Sequence, residues 1–361
     1  MKKVLHLITG LEKGGGAEAM LLKTVPFLKN TENAVCVFKD RGEIGRELER
    51  KGVKVYYLDM KGYWDLGAIK RYKKAVKDFR PDIQVNYLIH ADIFGRIFGK
   101  RYGIKKVVSY IRNRHSNFIY SFPDKFTLKR VDFLLTNSRA NLRFYRDKYN
   151  FPQNKSTCIP NGVEVKDRPA EEKLKNLKNE LGLTNEFVIT CVARLHKQKN
   201  IDTLIRAGQI LARENDNFKI LLIGDGKERE NLEKLARKLN ITDKVEFPGK
   251  RDDVWEILNI SHLFVLPSSK EGMSNALLEA MAAGLPAVVS DIEENKELVD
   301  SGKNGYTFKV RDENDLAEKI KRLQEDDKKR AFMGEASKKK VKENYDINKV
   351  INTLDKFLYN I

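Results

Sequence analysis

Residues 264–291 read FVLPSSKEGMSNALLEAMAAGLPAVVSD. An apolar run is followed by a Ser/Gly loop, a helix-forming stretch, a stop at Gly284-Leu285-Pro286 and a second apolar run. Strand, helix and strand in that order make a βαβ unit, whose two strands are parallel. Two carboxylates mark the unit, Glu271 ahead of the helix and Glu279 within it, eight residues apart. From 275 to 283 every residue but Glu279 is apolar or Asn, so this carboxylate projects from a largely buried helix. Such a group is costly unless donors reach it, and the two hydroxyls of a ribose would serve.

The same alternation extends in both directions. Apolar runs at 187–192, 219–223, 244–247, 262–266 and 286–289 are separated by helical patterns at 200–214, 228–239, 253–258 and 275–283. In the first half, runs at 4–8, 34–38, 53–58, 83–89, 107–111 and 131–136 alternate with stretches such as 17–28, 43–51, 65–79 and 91–102. Short β-branched runs of this kind predict parallel sheets covered by helices on both faces. A single core stops growing at roughly 250–300 residues, so a chain of 361 predicts two domains. The turn Pro160-Asn161-Gly162 and the charged, strand-free stretch from Glu164 to Glu180 place the boundary, giving domains 1–165 and 166–346. The expected fold class is α/β: two Rossmann-like, doubly wound domains facing a central cleft, with ligands held at the carboxyl ends of the strands.

An apolar fraction of 41% with 18 Phe excludes a disordered chain, although 33% of residues are charged. No apolar run approaches the ~18 residues of a membrane span, and the N-terminus lacks the apolar region of a signal peptide. Cys36, Cys158 and Cys191 are too few and too scattered for a disulfide framework or a zinc site, which predicts a reducing cytoplasm. The charge is one-sided. Residues 1–165 hold 33 Lys and Arg against 16 Asp and Glu, a balance of +17; residues 166–361 hold 36 against 35, a balance of +1. An excess confined to one domain points to an anionic partner: nucleic acid, an acidic bilayer or an anionic substrate.

Two loops suit anions. Lys13-Gly14-Gly15-Gly16-Ala17-Glu18 leads into a helix and matches a dinucleotide fingerprint in its spacing, with Asp40 where a ribose-binding carboxylate would stand. That fingerprint begins directly after the first strand, whereas Thr9 to Lys13 intervene here, so a nicotinamide cofactor is excluded. What remains is a connecting loop whose exposed backbone N–H groups can meet an anion or a sugar. In the second half, Val192-Ala193-Arg194-Leu195-His196-Lys197-Gln198-Lys199 carries two cations, Arg194 and Lys199, off the end of a strand, where a diphosphate would be held.

The Glu271/Glu279 segment resembles the E-x7-E signature of retaining glycosyltransferases of family 4, which have the GT-B fold. The likeness extends over most of the chain in the expected order. Gly14 to Glu18 resembles the family's N-terminal Gly-rich loop, and Thr136-Asn137-Ser138 and Ile159-Pro160-Asn161-Gly162-Val163 its two interdomain landmarks. Arg194 and Lys199 fall on its diphosphate-contacting pair, and Leu222-Ile223-Gly224-Asp225-Gly226 on its glycine turn.

The resemblance implies a hexosyltransferase using a nucleotide sugar, UDP being the commonest nucleotide, and a glycan or lipid-linked acceptor, as in cell-surface polysaccharide or glycolipid synthesis. Arg194 and Lys199 would neutralise the leaving diphosphate, and Glu271 would hold hydroxyls of the donor hexose. Glu279 would accept the ribose hydroxyls, and the backbone around Met273, Ser274 and Asn275 would meet sugar and phosphates. Gly15, Gly16 and Gly224 join the donor-binding set, and Lys250–Arg251 would flank the base. No cofactor and no metal requirement are implied; Asp252-Asp253 reads as a helix cap instead. The final helix, 347–361, with Val350, Ile351, Leu354, Phe357 and Leu358 at helical spacing, would cross back to the first domain. In place of the family's histidine after strand 107–111 stands Arg112-Asn113-Arg114-His115; His115, Arg112 with Asn113, or His90 are the candidates for its role.

The basic first domain is the acceptor half by the same resemblance. Its aromatic and cationic segments, Tyr63 to Lys77 and Phe94 to Phe126, suit an anionic membrane surface, so peripheral attachment at the inner face of the membrane is expected. Nucleic acid is not expected as a partner, since no helix-turn-helix, zinc-finger or RNP-like motif occurs. An enzyme like UDP-N-acetylglucosamine 2-epimerase, with a similar two-domain architecture, is the alternative.

Overall fold

The computed structural model describes the chain except residues 13, 40, 63, 64, 115–117 and 215 and the side chains of 118–121. His115, Asp40, Tyr63 and Trp64 therefore lie outside the described residues. Two compact units form, Met1–Gly162 with Ile347–Ile361, and Val163–Asp346. The first therefore ends slightly before the boundary expected at 165. At the crossing, a Cβ on Gly162 would stand 2.9 Å from Ile347 Cα, so glycine alone lets the outgoing and returning chain approach so closely.

The first unit carries a parallel sheet of seven strands: β1 (Lys2–Ile8), β2 (Thr31–Val37), β3 (Lys54–Tyr57), β4 (Ile83–Tyr87), β5 (Lys106–Ile111), β6 (Phe133–Thr136) and β7 (Ser156–Cys158). Their order is β3-β2-β1-β4-β5-β6-β7. Alternation along β1 splits its side chains between two cores. Val4 and Ile8 pack with helices Gly16–Thr24 and Ile347–Asn360; Leu5 and Leu7 face helices Leu66–Phe79 and Ile89–Arg101. The last helix is fixed by Ile347, Val350, Ile351, Leu354 and Leu358, and by Asp355, which accepts from the backbone N–H groups of Lys29 and Asn30 at 3.0 and 3.1 Å.

The second unit holds β8 (Phe187–Val192), β9 (Phe218–Ile223), β10 (Val245–Gly249), β11 (Leu263–Leu266), β12 (Ala287–Ser290) and β13 (Gly305–Phe308), in the order β10-β9-β8-β11-β12-β13. Both sheets thus have the doubly wound form expected. The strands that sequence did not mark, β7 and β13, are the short last strands of their sheets. Each lies at an edge, where few side chains are sandwiched and a long apolar run is not required. The charged stretch before the second sheet includes a helix, Glu171–Glu180, that buries only Leu174 and Leu177.

One polar residue interrupts β1. His6 is fully buried; its Nε2–H donates to Asn33 Oδ1 at 3.0 Å and its Nδ1 accepts from the Tyr87 hydroxyl at 3.0 Å. Asn33 gives its Nδ2 to the Thr31 carbonyl, which leaves its oxygen for the imidazole. Both ring nitrogens are satisfied in the neutral form, and burial lowers the pKa from 6.5 to about 4. The unfolded chain therefore takes up a proton that the folded chain refuses, so His6's contribution is present above pH 6.5 and lost as pH falls towards 4. The cost of His6→Gln, measured by urea unfolding at several pH values, should shrink by about 3 kcal/mol between pH 7 and pH 4. A pH-independent cost would show that the imidazole does not titrate on unfolding.

A second buried polar group stands beneath helices Ile89–Arg101 and Phe118–Leu128. Arg96, 0% exposed, pairs with Asp124 at 2.5 Å and with Asp92 at 3.5 Å, and its Nε donates to Ser109 Oγ at 2.8 Å. The other oxygen of Asp124 accepts from the Tyr145 hydroxyl at 2.9 Å.

Candidate functional site

In the second sheet the strand order reverses between β8 and β11. Loops leaving the carboxyl ends of such neighbours diverge and open a crevice. The loop after β8 brings Lys199 to Glu271 in the loop after β11, with Nζ and Oε1 2.5 Å apart. Gln198 seals the two loops: its carbonyl accepts from Ser269 N at 2.9 Å, and its Nε2 donates to the Lys270 carbonyl at 2.7 Å. Glu271 is 9% exposed and Lys199 21%, so this ion pair is partly removed from water. Arg194, on the same loop, is exposed and, among the described residues, has no carboxylate partner.

Helix Asn275–Ala282 begins at this crevice. Ser274 caps it, its Oγ accepting from Leu277 N at 3.2 Å, so its hydroxyl serves the helix, while it was the backbone here that the sequence assigned to the donor. Leu277, Leu278, Ala280, Met281 and Ala282 are buried, whereas Asn275 and Glu279, four residues apart on one face, are half-buried. Glu279 thus lies on the accessible stripe of an otherwise apolar helix, with Asn275 one turn nearer the loop. Met273 is buried beneath them.

The glycine turn after β9 supports the loop of Arg194. Gly224 has φ +132° and donates to the Gly249 carbonyl at 2.8 Å; a Cβ there would lie 2.0 Å from the Ala193 carbonyl oxygen. Leu195 N in turn donates to the Asp225 carbonyl at 3.0 Å. What the structure gives Gly224 is the spacing of three loops. The reading of Asp253 as a cap is corrected next to it. Asp253 precedes helix Val254–Ile260 but does not cap it with its side chain. Its carboxylate is taken by Arg251 through bonds of 2.8 and 2.7 Å, and Arg251 also reaches Glu180 at 2.6 Å. Cys191, at the end of β8, is fully buried, and burial pushes its thiol up to about 12, so it remains protonated.

In the first unit, the Gly-rich loop enters helix Gly16–Thr24 at Gly15. The carboxylate of Glu18 lies over Gly15, 1.9 Å from where a Cβ would be, at the helix end to which the sequence assigned an anion. This sheet reverses order between β1 and β4, and there a cleft of about 240 Å3 opens among Thr9, His90, Asp92, Arg112 and Asn113. Arg112 is buried, its guanidinium 5.2 Å from the centre of the Tyr110 ring and donating to Asn161 Oδ1. His90 is lowered by burial and by the charge of Lys39. Burial raises Asp92 to about 7 against the pull of Arg96. Leu88, leading into the cleft's helix, takes φ +70°, a strained value for a side-chain-bearing residue. Sequence reading missed Asp92; its signal was an Asp/Arg pair, four residues apart, inside the apolar helix run of Ile89 to Phe98.

Each unit therefore presents polar groups at the switch point of a doubly wound sheet, and the second presents cations with a neighbouring carboxylate. The family comparison agrees with that geometry: residues 173–340 match the model for glycosyl transferases group 1, and residues 14–167 that for Glycosyltransferase Family 4. The chain belongs to the family 4 glycosyltransferases. Among curated relatives of this glycosyltransferase is N-acetyl-alpha-D-glucosaminyl L-malate synthase of Bacillus anthracis, 31% identical over 52% of this chain and 49% of that one. The match thus spans about half the length of that relative. UDP-Gal:alpha-D-GlcNAc-diphosphoundecaprenol alpha-1,3-galactosyltransferase of Escherichia coli is 28% identical over 80% of this chain and 78% of its own. Among solved structures, HepE of Anabaena in complex with UDP-glucose superposes with a TM-score of 0.89 at 21% identity, covering 100% of both chains. The glycosyltransferase fold is GT-B.

Proposed function

We propose that the protein moves a hexose from a UDP-linked sugar to a glycan or lipid-linked acceptor, with retention at the anomeric carbon. The observation that carries this reading is the convergence of Lys199 and Glu271 at 2.5 Å at the carboxyl ends of β8 and β11, with Arg194, on the same loop as Lys199, exposed and, among the described residues, without a carboxylate partner. A leaving nucleoside diphosphate gains negative charge as the glycosidic bond breaks. Two cations at the strand ends stabilise that charge more in the transition state than in the ground state. Arg194 offers a planar fork and Lys199 a point charge, and Lys199 keeps donors free beyond the one given to Glu271. Glu271, held by Lys199, accepts from sugar hydroxyls; Glu279 and Asn275 take the ribose side. The cations do the neutralising, so transfer needs no divalent ion. The cleft of Arg112, Asn113 and His90 in the first unit receives the acceptor.

The names of two relatives support the donor and acceptor classes. One uses UDP-Gal and a diphosphoundecaprenol-linked acceptor, and the Anabaena structure contains UDP-glucose. A thermal-shift screen of nucleotide sugars tests donor binding, since a ligand of the native state raises Tm. UDP release that requires added acceptor and persists in EDTA would establish metal-independent transfer. UDP release from UDP-N-acetylglucosamine without acceptor would point to the epimerase-like alternative. Glu279→Ala should raise the KM for donor about tenfold or more with kcat nearly unchanged, the sign of a lost ground-state contact. An unchanged KM would remove Glu279 from the site.

A further inference from the structure

The charge asymmetry sharpens at the observed boundary. The first unit holds 35 Lys and Arg against 16 Asp and Glu, the second 34 against 35. Part of that excess converges where β6 and β7 begin. A groove of about 740 Å3 there is lined by Lys100, Arg101, Lys129, Arg130, Lys155 and Asp132. Lys100 is paired with Asp132 at 2.7 Å; among the described residues, Arg101, Lys129, Arg130 and Lys155 have no carboxylate partner. Unpaired like charges in one depression repel each other until an anion joins them.

Beside this groove runs helix Phe118–Leu128. Its described outer side presents Phe122, Lys125 and Phe126, with Lys129 just beyond, at the i, i+3, i+4, i+7 spacing of one helical face. Phe122 is 54% and Phe126 59% exposed, and their rings lie 4.7 Å apart. The inner side is anchored by Asp124 on Arg96 and by buried Leu128. The two rings are therefore held outward by a fixed helix. The described part of the other segment that sequence suggested for a membrane differs. In helix Leu66–Phe79 the aromatic side chains, Tyr72 and Phe79, are buried, and Lys70, Lys73, Lys74 and Lys77 are exposed.

We infer that the face of Phe122, Lys125, Phe126 and Lys129, continued by Arg101, Arg130 and Lys155, docks the first unit on an anionic phospholipid leaflet. The phenyl rings enter the boundary between headgroups and acyl chains, and the cations meet headgroup phosphates. Charge complementarity selects this occupant: a neutral bilayer or an apolar protein surface would leave the four unpaired cations unmatched. The inference rests on the membrane-borne acceptor class proposed above. No helix among the described residues is long and apolar enough to cross a membrane, so contact through this surface would be peripheral.

The test is co-sedimentation of the full chain with phosphatidylcholine vesicles, with and without phosphatidylglycerol, at low and high salt. Binding is expected on anionic vesicles only, and should be lost at high salt. The double variants F122S/F126S and K129E/R130E should each weaken it about tenfold or more. K70E/K74E makes the same charge change on helix Leu66–Phe79 and should leave binding within about twofold. Equal binding to neutral and anionic vesicles, or an equal loss in K70E/K74E, would overturn the assignment. Thermal shifts with UDP-sugars on the same samples report folding and the donor site separately. Absent vesicle binding with those shifts intact overturns the docking face alone. Anionic vesicle binding without any nucleotide-sugar shift supports the docking face and overturns the transferase reading.

Discussion

Replacing Arg194 with alanine is expected to lower kcat by about two to three orders of magnitude while leaving Tm unchanged. The guanidinium is exposed and has no carboxylate partner among the described residues, so the fold loses nothing measurable when it goes. Its value lies in the charge that develops on the departing diphosphate. Lys199→Ala provides the contrast. It should lower kcat comparably, but it also strands Glu271, 9% exposed, without its cation. Breaking a pair partly removed from water costs up to about 3 kcal/mol, or up to about 6–12 °C in a domain of this size. Steady-state kinetics and calorimetry on both variants separate the two roles. Turnover unchanged in both would mean that the diphosphate is held elsewhere. A stability loss in Arg194→Ala equal to that in Lys199→Ala would mean that the arginine is structural.

The largest loss of stability is expected at Asp124→Ala. Arg96 is charged at any accessible pH and fully buried, and Asp124 is its closer counter-charge at 2.5 Å. Removing that carboxylate also orphans the Tyr145 hydroxyl, 2.9 Å away. The cost should be about 3–5 kcal/mol, enough to lower the Tm of the first unit by about 10 °C or more. If the penalty comes from an uncompensated charge, replacing Arg96 together with Asp92 and Asp124 by apolar residues of similar volume should recover most of it. A triple variant as unstable as the single one would assign the loss to packing. Since Asp124 lies on the inner side of the helix carrying Phe122 and Phe126, loss of the pair should also weaken vesicle binding.

Much of this molecule was legible in its sequence because the signals are local. Apolar runs such as 187–192 and 219–223 mark strands buried on both faces, and Gly284-Leu285-Pro286 is a local signal that ends a helix. Arg194, Lys199, Glu271 and Glu279 stood out by position and spacing, but their roles came from the resemblance to the family. The edge strands β7 and β13 could not, because a three- or four-residue strand at a sheet margin needs no apolar run. Likewise, Asp253 carries the composition of a cap, but an arginine two residues away takes its carboxylate.

The sequence by itself determined the two doubly wound sheets, the loops that leave their strands, and the concentration of positive charge in the first half. Only the tertiary structure decided which distant residues meet. Lys199 and Glu271, 72 residues apart, touch because β11 is laid beside β8; another strand order would separate them. Arg96 reaches Asp124 because helix Phe118–Leu128 packs on helix Ile89–Arg101, and that packing turns Phe122 and Phe126 outward. Periodicity reports which face of an element is apolar. What covers that face is set by strand order and helix packing, which no local pattern encodes.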